Sequence, residues 1–390
     1  MELAQIALSL GIAQYPPALD EVYASGKLLD PCDKGLLKEL EAAYGIFGSY
    51  YTPMEQAMDG LPGDEARFTW AKVVTTYIRT APVQLASRIP MPASDGSVVG
   101  DLMPMVILLP LIPRAVESYR QMGFPPEDIQ KMMGAFRSGI AIVERSVGRP
   151  AVNQLYYWWL CLYAKASIFH CGDFQFELRQ LPNEAIFLKN KEDGRLAAVM
   201  TAGRFHKSGM LLGNAGCTEE DGAFEACFRE TGDAFYGMQA TKGAVENREV
   251  CFPKDTWEAV LKPGDWVLSM HISRGADLSP EAVEAAIAQA DIIAKRSYPQ
   301  WEGGGFYCRS WLLAPLLGDI LGEKSKISQF ADRFTRLPIK SGGRAGFGYV
   351  FPAGVPDAEL PEDTTLRRGL KQHYLSGGFL WDRAGAFIRK

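Results

Sequence analysis

Residues 264–281 read Gly264-Asp265-Trp266-Val267-Leu268-Ser269-Met270-His271-Ile272-Ser273-Arg274-Gly275-Ala276-Asp277-Leu278-Ser279-Pro280-Glu281. Trp266, Leu268, Met270 and Ile272 alternate with Val267, Ser269, His271 and Ser273, the period of a strand. Arg274 to Asp277 turns the chain. Ser279 then supplies a side-chain cap, Pro280 a first helical residue and Glu281 an acid in the first turn, so a helix is expected from here. It carries Val283, Ile287, Ala290 and Ala294 on one face and ends by Pro299. After the glycines 303–305, Phe306-Tyr307-Cys308 gives a second strand, and Pro315 opens another helix. Strand, crossover helix and strand favour parallel pairing with the helix laid on one sheet face. Strands of a parallel sheet are usually apolar on both faces, yet one face here is Val-Ser-His-Ser. Two explanations fit: an edge strand with a wet face, or a cavity at the strand's carboxyl end, where open α/β sheets bind ligands.

Composition sets the bounds. The 390 residues leave room for two domains, and 47% hydrophobic with 22% charged residues is ordinary for a globular protein. A formal net charge of −5 without a basic run argues against nucleic acid as a partner. The apolar run Leu102 to Pro113 is short and broken by prolines, so no membrane partner is expected, and a cytoplasmic location is. The seven cysteines (32, 161, 171, 217, 227, 251, 308) are scattered and never spaced Cys-x-x-Cys, which suits free thiols in a reducing compartment. Histidines 170, 206, 271 and 373 are equally dispersed, so no sequence-local metal site is expected.

Outward from the central stretch the two halves differ. Residues 1–165 read as helix: Leu37, Leu40, Tyr44 and Phe47, then Trp70, Val73, Val74 and Tyr77, recur at helical spacing, with breaks at 48–49, 61–64 and 91–96. Tyr156-Tyr157-Trp158-Trp159 reads as helical core or interface rather than a binding box. From Ala166 the texture shifts to short strands: 174–178, 185–188, 197–200 and 235–239, with a mixed segment at 219–230. Phe330–Ile339 and Tyr349–Phe351 read as paired strands, 364–375 as a helix, and the end as a glycine-punctuated tail. The expected fold class is α/β (α+β), with a helical amino-terminal domain, 1–165, and a mixed α/β carboxyl-terminal domain, 166–390.

The letters carry a resemblance. His271-Ile272, Leu278-Ser279-Pro280-Glu281-Ala282, Cys308-x-Ser310-Trp311-Leu312-Leu313-x-Pro315, Ser328-x-Phe330 and Gln175-Phe176-Glu177 resemble the GNAT-like carboxyl-terminal domain of a bacterial N-acyltransferase family. Tyr119-x-x-Met122-Gly123-Phe124-Pro125-Pro126-Glu127 resembles that family's helical amino-terminal domain. Ser273 stands where the family has proline after His-Ile, Arg309 where an acid is frequent, Ala314 where an Asp caps the next helix, and Asp173-Phe174 where Arg-Leu precedes Gln-Phe-Glu.

The resemblance implies direct transfer of an acyl group from acetyl-CoA or another acyl-CoA to the amine of a small molecule or peptide. Two adjacent strands would splay to admit the acyl-pantetheine. Met270, Ile272 and Ser273 would line it, Arg274, Gly275 and Ser279 would hold the pyrophosphate, and Cys308 would lie on the facing strand. The family's glycine-rich pyrophosphate signature is missing from this loop. A look-alike, Gly343-Arg344-Ala345-Gly346-Phe347-Gly348, leads toward a presumed strand and reads as a hairpin turn. His271 is a candidate general base or a packed neutral histidine. Glu177 is an alternative base or a strand carboxylate, and Ser310 a donor to the leaving thiolate or a local backbone cap. Two rival readings remain: a non-catalytic GNAT-like module that binds a metabolite or peptide, and a cysteine-dependent enzyme built on Cys308 and His271.

Overall fold

The computed structural model describes residues 2–182, 184–218, 222–352 and 354–389. The chain divides into two units, Met1–His170 and Cys171–Lys390.

The first unit is helical: α1 (Leu3–Ser9), α2 (Ala18–Ala24), α3 (Lys34–Tyr44), α4 (Tyr51–Gly60), α5 (Glu65–Thr80), α6 (Val83–Ala86), α7 (Val98–Leu108), α8 (Ile112–Gln121), α9 (Pro126–Val147) and α10 (Gln154–Ala164). Side chains cap several of these: the Leu36 amide donates to Asp33, that of Arg67 to Asp64 and that of Tyr156 to Asn153. Gly45 ends α3 at φ 57° and Gly148 ends α9 at φ 77°, left-handed turns that glycine takes without strain. Every residue of α7 from Gly100 to Leu108 is buried, so this helix has no polar face and forms the centre of the unit. Together α7, the turn after it and α8 make a stretch, Val98–Gln121, long and apolar enough to cross a membrane. Its most apolar window is 72% buried within the protein, as a core helix would be.

Among the described residues the second unit holds fourteen strands, the first straddling the division: β1 (Ile168–Cys171), β2 (Phe174–Gln180), β3 (Ala185–Asn190), β4 (Leu196–Met200), β5 (Arg204–Phe205), β6 (Phe224–Glu225), β7 (Phe228–Glu230), β8 (Ala234–Thr241), β9 (Ala244–Pro253), β10 (Trp257–Leu261), β11 (Trp266–Ile272), β12 (Gly305–Ser310), β13 (Thr335–Pro338) and β14 (Arg383–Ile388). Its helices are α11 (Pro280–Ser297), α12 (Pro315–Leu321), α13 (Lys326–Asp332), α14 (Phe347–Val350) and α15 (Thr365–Leu375).

One sheet runs β1-β2-β11-β12-β14-β13, and a second runs β10-β3-β4-β8-β7 with β9 also on β8. Val267 and Tyr307 of the first pack with Phe187, Ala198 and Met200 of the second in one core. The alternate residues of the first sheet form an aromatic row: Phe306 stacks on Phe387 at 5.1 Å between centroids and meets Phe176 and Trp301 edge-on, contacts worth about 0.5–1.5 kcal/mol each beyond their burial. Trp301 also donates to Asp291 of α11 at 3.1 Å. The stripe Val283, Ile287, Ala290 and Ala294 expected on α11 is buried.

A mixed α/β unit thus follows a helical one, as the sequence led us to expect. β11 and β12 pair in parallel. The edge-strand explanation of the polar face falls, because β11 lies between β2 and β12. The presumed strand at 330–339 is helix α13 up to Asp332, then β13; 349–351 falls on the single turn α14 and its exit. The tail contains β14, which lies between β12 and β13. In the mixed segment 219–230, residues 219–221 lie outside the described residues, and β6 and β7 follow.

Candidate active site

β11 and β12 form a ladder of three pairs: Leu268 with Phe306, Ser269 with Tyr307, and Met270 with Cys308. There it ends, although both strands continue by two residues. His271 and Ile272 pair only outward, with Gln175 and Phe174 of β2. Arg309 and Ser310 likewise pair only outward, with Ala384 and Arg383 of β14. Neighbouring parallel strands that each keep an outer partner and lose one another free inner backbone groups from the ladder, and such groups take other partners, a ligand among them. The opening lies at the carboxyl end of the strands, the end at which such sheets bind ligands.

Two polar side chains meet on one face beside it. Glu177 of β2 lies opposite Ser269, one diagonal from His271, a spacing long side chains can bridge. His271 Nε2 is 3.3 Å from Glu177 Oε2, and an Arg179 guanidinium nitrogen lies 3.6 Å from the same oxygen. The carboxyl side chain is only 8% exposed and the imidazole 25%. A buried carboxylate with a guanidinium and an imidazole nitrogen beside it does not lie unpartnered. Read along the chain, His271 and Glu177 are alternatives for one role; the register of β2 on β11 makes them a pair.

The remaining expected site residues distribute as follows. Met270 and Cys308 are buried at 1% and 0% exposure, so a ligand in the gap meets their backbone rather than their side chains. Burial pushes the Cys308 thiol up to about 12, which removes the thiolate a cysteine-dependent enzyme needs. Ser310 caps the turn Trp311–Leu313, accepting from the Leu312 amide at 3.1 Å. Ile272 and Ser273 are half-buried, and Arg274 and Gly275 exposed. Gln175 donates to Ser273 Oγ at 3.4 Å, and Arg274 to the Tyr349 carbonyl at 3.5 Å.

Ser279 caps α11, and a carboxylate is already seated before it. Asp277 accepts from the Ser279 amide at 3.0 Å and hydroxyl at 2.9 Å, and from Lys326 at 2.8 Å. The Asp277 amide in turn donates to Asp173 at 3.0 Å. The hydrogen bond from Lys326, then those from Ser279, hold the Asp277 carboxyl down at about 2. Asp277, Asp173 and Lys326 are absent from the sequence reading of the site, although Asp-x-Ser-Pro is itself a capping signal. The look-alike 343–348 leads into α14, not a strand: Arg344 pairs with Asp357 and lies over Phe347 and Tyr374, and α14 has four residues. Opposite Ser310 on β14 lies Arg383, 6% exposed. Burial foremost, and Arg336 next, bring its guanidinium down to about 10. Its terminal nitrogen donates to the carbonyls of Trp381 and Asp382.

The model of the family described as "GNAT-like C-terminal domain" matches residues 168–387. The chain belongs to that family. Among solved structures, this member of the GNAT-like C-terminal domain family is similar over its full length to an acyltransferase in complex with decanoyl-CoA and teicoplanin. The two are 17% identical, the match covers 99% of that chain, and the TM-score is 0.66. An acyltransferase mutant in complex with octanoyl-CoA is similar at 16% identity and TM-score 0.66, with 100% of both chains covered. At such identities the likeness is one of fold. A search of curated protein sequences finds no match.

Proposed function

We propose that this protein transfers an acyl group from an acyl-CoA thioester directly to the amine of a small molecule or peptide. The observation that carries the reading is the end of the β11–β12 ladder at Met270 and Cys308 while both strands run on. A pantetheine arm is an extended chain with amides, and exposed strand backbone can pair with it as with an added strand. The acyltransferases of similar fold, crystallised with decanoyl- and octanoyl-CoA, support a medium-chain donor. The seven cysteines, scattered and never spaced Cys-x-x-Cys, support a reducing cytoplasm as its place of work.

In this reading the amine nitrogen attacks the thioester carbonyl carbon, the C–N bond forms, and the C–S bond breaks with its electron pair leaving on sulfur. The ammonium proton passes to the His271–Glu177 pair, where the carboxylate 3.3 Å away offsets the imidazolium charge. The Ser310 cap uses an acceptor lone pair of the hydroxyl, whose hydrogen can be donated to the departing thiolate.

Thermal unfolding with and without octanoyl-CoA tests the reading. A ligand at about a hundred times its Kd stabilises by ~2.7 kcal/mol, so the midpoint should rise by a few degrees. Free thiol should then appear when an amine panel is added. No shift with octanoyl-CoA or acetyl-CoA and no thiol release would refute it. A shift without thiol release would favour the non-catalytic binding module.

A further inference from the structure

The loop from Arg274 to Ser279 does not fit a pyrophosphate. A helix start attracts anions because its first amides are unpaired and the dipole is positive there. In α11 the first residue is Pro280, which has no amide hydrogen, and the second is Glu281, whose acid already complements the dipole. The Ala282 amide donates to Ser279 Oγ, and the Ser279 amide and hydroxyl donate to Asp277. Around the loop, Arg274, Lys326 and Arg333 stand against Asp173, Asp277, Glu281 and Glu284, so the formal balance is one negative charge. Lys326 is bound by Asp277, and Arg333, which donates to the Pro280 carbonyl at 3.2 Å, is bound by Glu284. A further anion carrying about two charges would have to displace one of these carboxylates or lie beside it.

Resting on the acyltransferase reading, we propose that this enzyme grips its donor by the acyl-pantetheine arm, and that the nucleotide pyrophosphate gains nothing from the start of α11. The arm's amides meet backbone in the gap beyond Met270 and Cys308, which needs no charge from either partner. The chain's own carboxylate performs at α11 the capping that a phosphate performs elsewhere.

Calorimetric titration of the full chain with octanoyl-CoA and with S-octanoyl-pantetheine, which lacks the nucleotide, tests this directly. The two dissociation constants are expected to agree within about tenfold, less than 1.4 kcal/mol. Asp277→Asn keeps the shape of an exposed side chain and removes its charge. It should tighten octanoyl-CoA by roughly two- to fivefold, the scale of a charge at a helix end, and leave S-octanoyl-pantetheine unchanged. A preference for octanoyl-CoA beyond about tenfold, or weaker CoA binding by Asp277→Asn, overturns the inference and leaves the acyltransferase reading intact. Binding of neither thioester removes both.

Discussion

His271 and Glu177 are ninety-four positions apart and share one sheet face because β2 runs antiparallel to β11 with Ser269 opposite Glu177. Neither residue advertises the other. Each sits in an alternating run where a polar residue equally suits solvent, and only the register joins them, so the pairing was illegible in the sequence although both residues were singled out. If they act as one proton acceptor, their substitutions cannot be additive. His271→Ala is expected to lower turnover about a hundredfold, the lower end of what general bases contribute, and Glu177→Gln less. The double variant should be no slower than His271→Ala alone, because a carboxylate without its imidazole has nothing left to support. Glu177 keeps Arg179 at 3.6 Å in His271→Ala, so the fold should survive that change. Steady-state rates of the three variants decide: additive losses, or wild-type turnover in His271→Ala, would dismiss the pair.

Among the elements, those legible in the sequence had local causes. The strand, cap, helix and strand of β11, α11 and β12 follow from period two, Ser279-Pro280 and a 3.6-residue stripe, all written within fifty residues. Those missed had distant causes. β14 reads Arg-Ala-Gly-Ala-Phe-Ile, too small and glycine-broken to announce a strand, and its smallness is what its place demands. A Cβ on Gly385 would come within 2.8 Å of Phe334 Cβ and 3.1 Å of the Thr335 carbonyl. Phe330 and Phe334 read as strand residues, yet their separation of four is helical, and their rings meet at 5.2 Å at the end of α13. The turn before α14 yields an element-scale test. Gly346 has φ 70°, and a Cβ there would lie 2.2 Å from the Trp311 ring, one residue past Ser310. Gly377 has φ 80° and nothing within 4 Å. Alanine at Gly377 should cost about 1–2 kcal/mol, the backbone penalty alone. Alanine at Gly346 should cost roughly 1–3 kcal/mol more for forcing the ring aside. Urea unfolding of both variants measures the difference; equal losses would show that Trp311 does not depend on that close approach.

On the scale of the whole molecule, the thiols report on both units together. Cys161, Cys171, Cys217 and Cys308 are buried, Cys32 is half-buried, and only Cys227 and Cys251 are exposed. The scatter of seven cysteines along the chain showed that no motif joins them but not which face inward, since burial is a property of packing. Reactivity follows thiolate fraction and access. Cys161 and Cys308 fail on both counts, burial having pushed each up to about 12. Cys32 is also held up at about 12, by burial first and Asp30 next. A colorimetric disulfide reagent should therefore titrate two thiols quickly in the native protein and all seven once it is unfolded in guanidinium. Acyl transfer should persist after the fast pair has reacted, because Cys227 and Cys251 lie on and beside strands of the second sheet, outside the β11–β12 gap. Cys308 should label only at the rate of unfolding, since its sulfur has no route to solvent in the folded unit. Fast modification of Cys308, located by peptide mapping and accompanied by loss of turnover, would instead reinstate a thiol nucleophile on β12 and displace the direct-transfer chemistry.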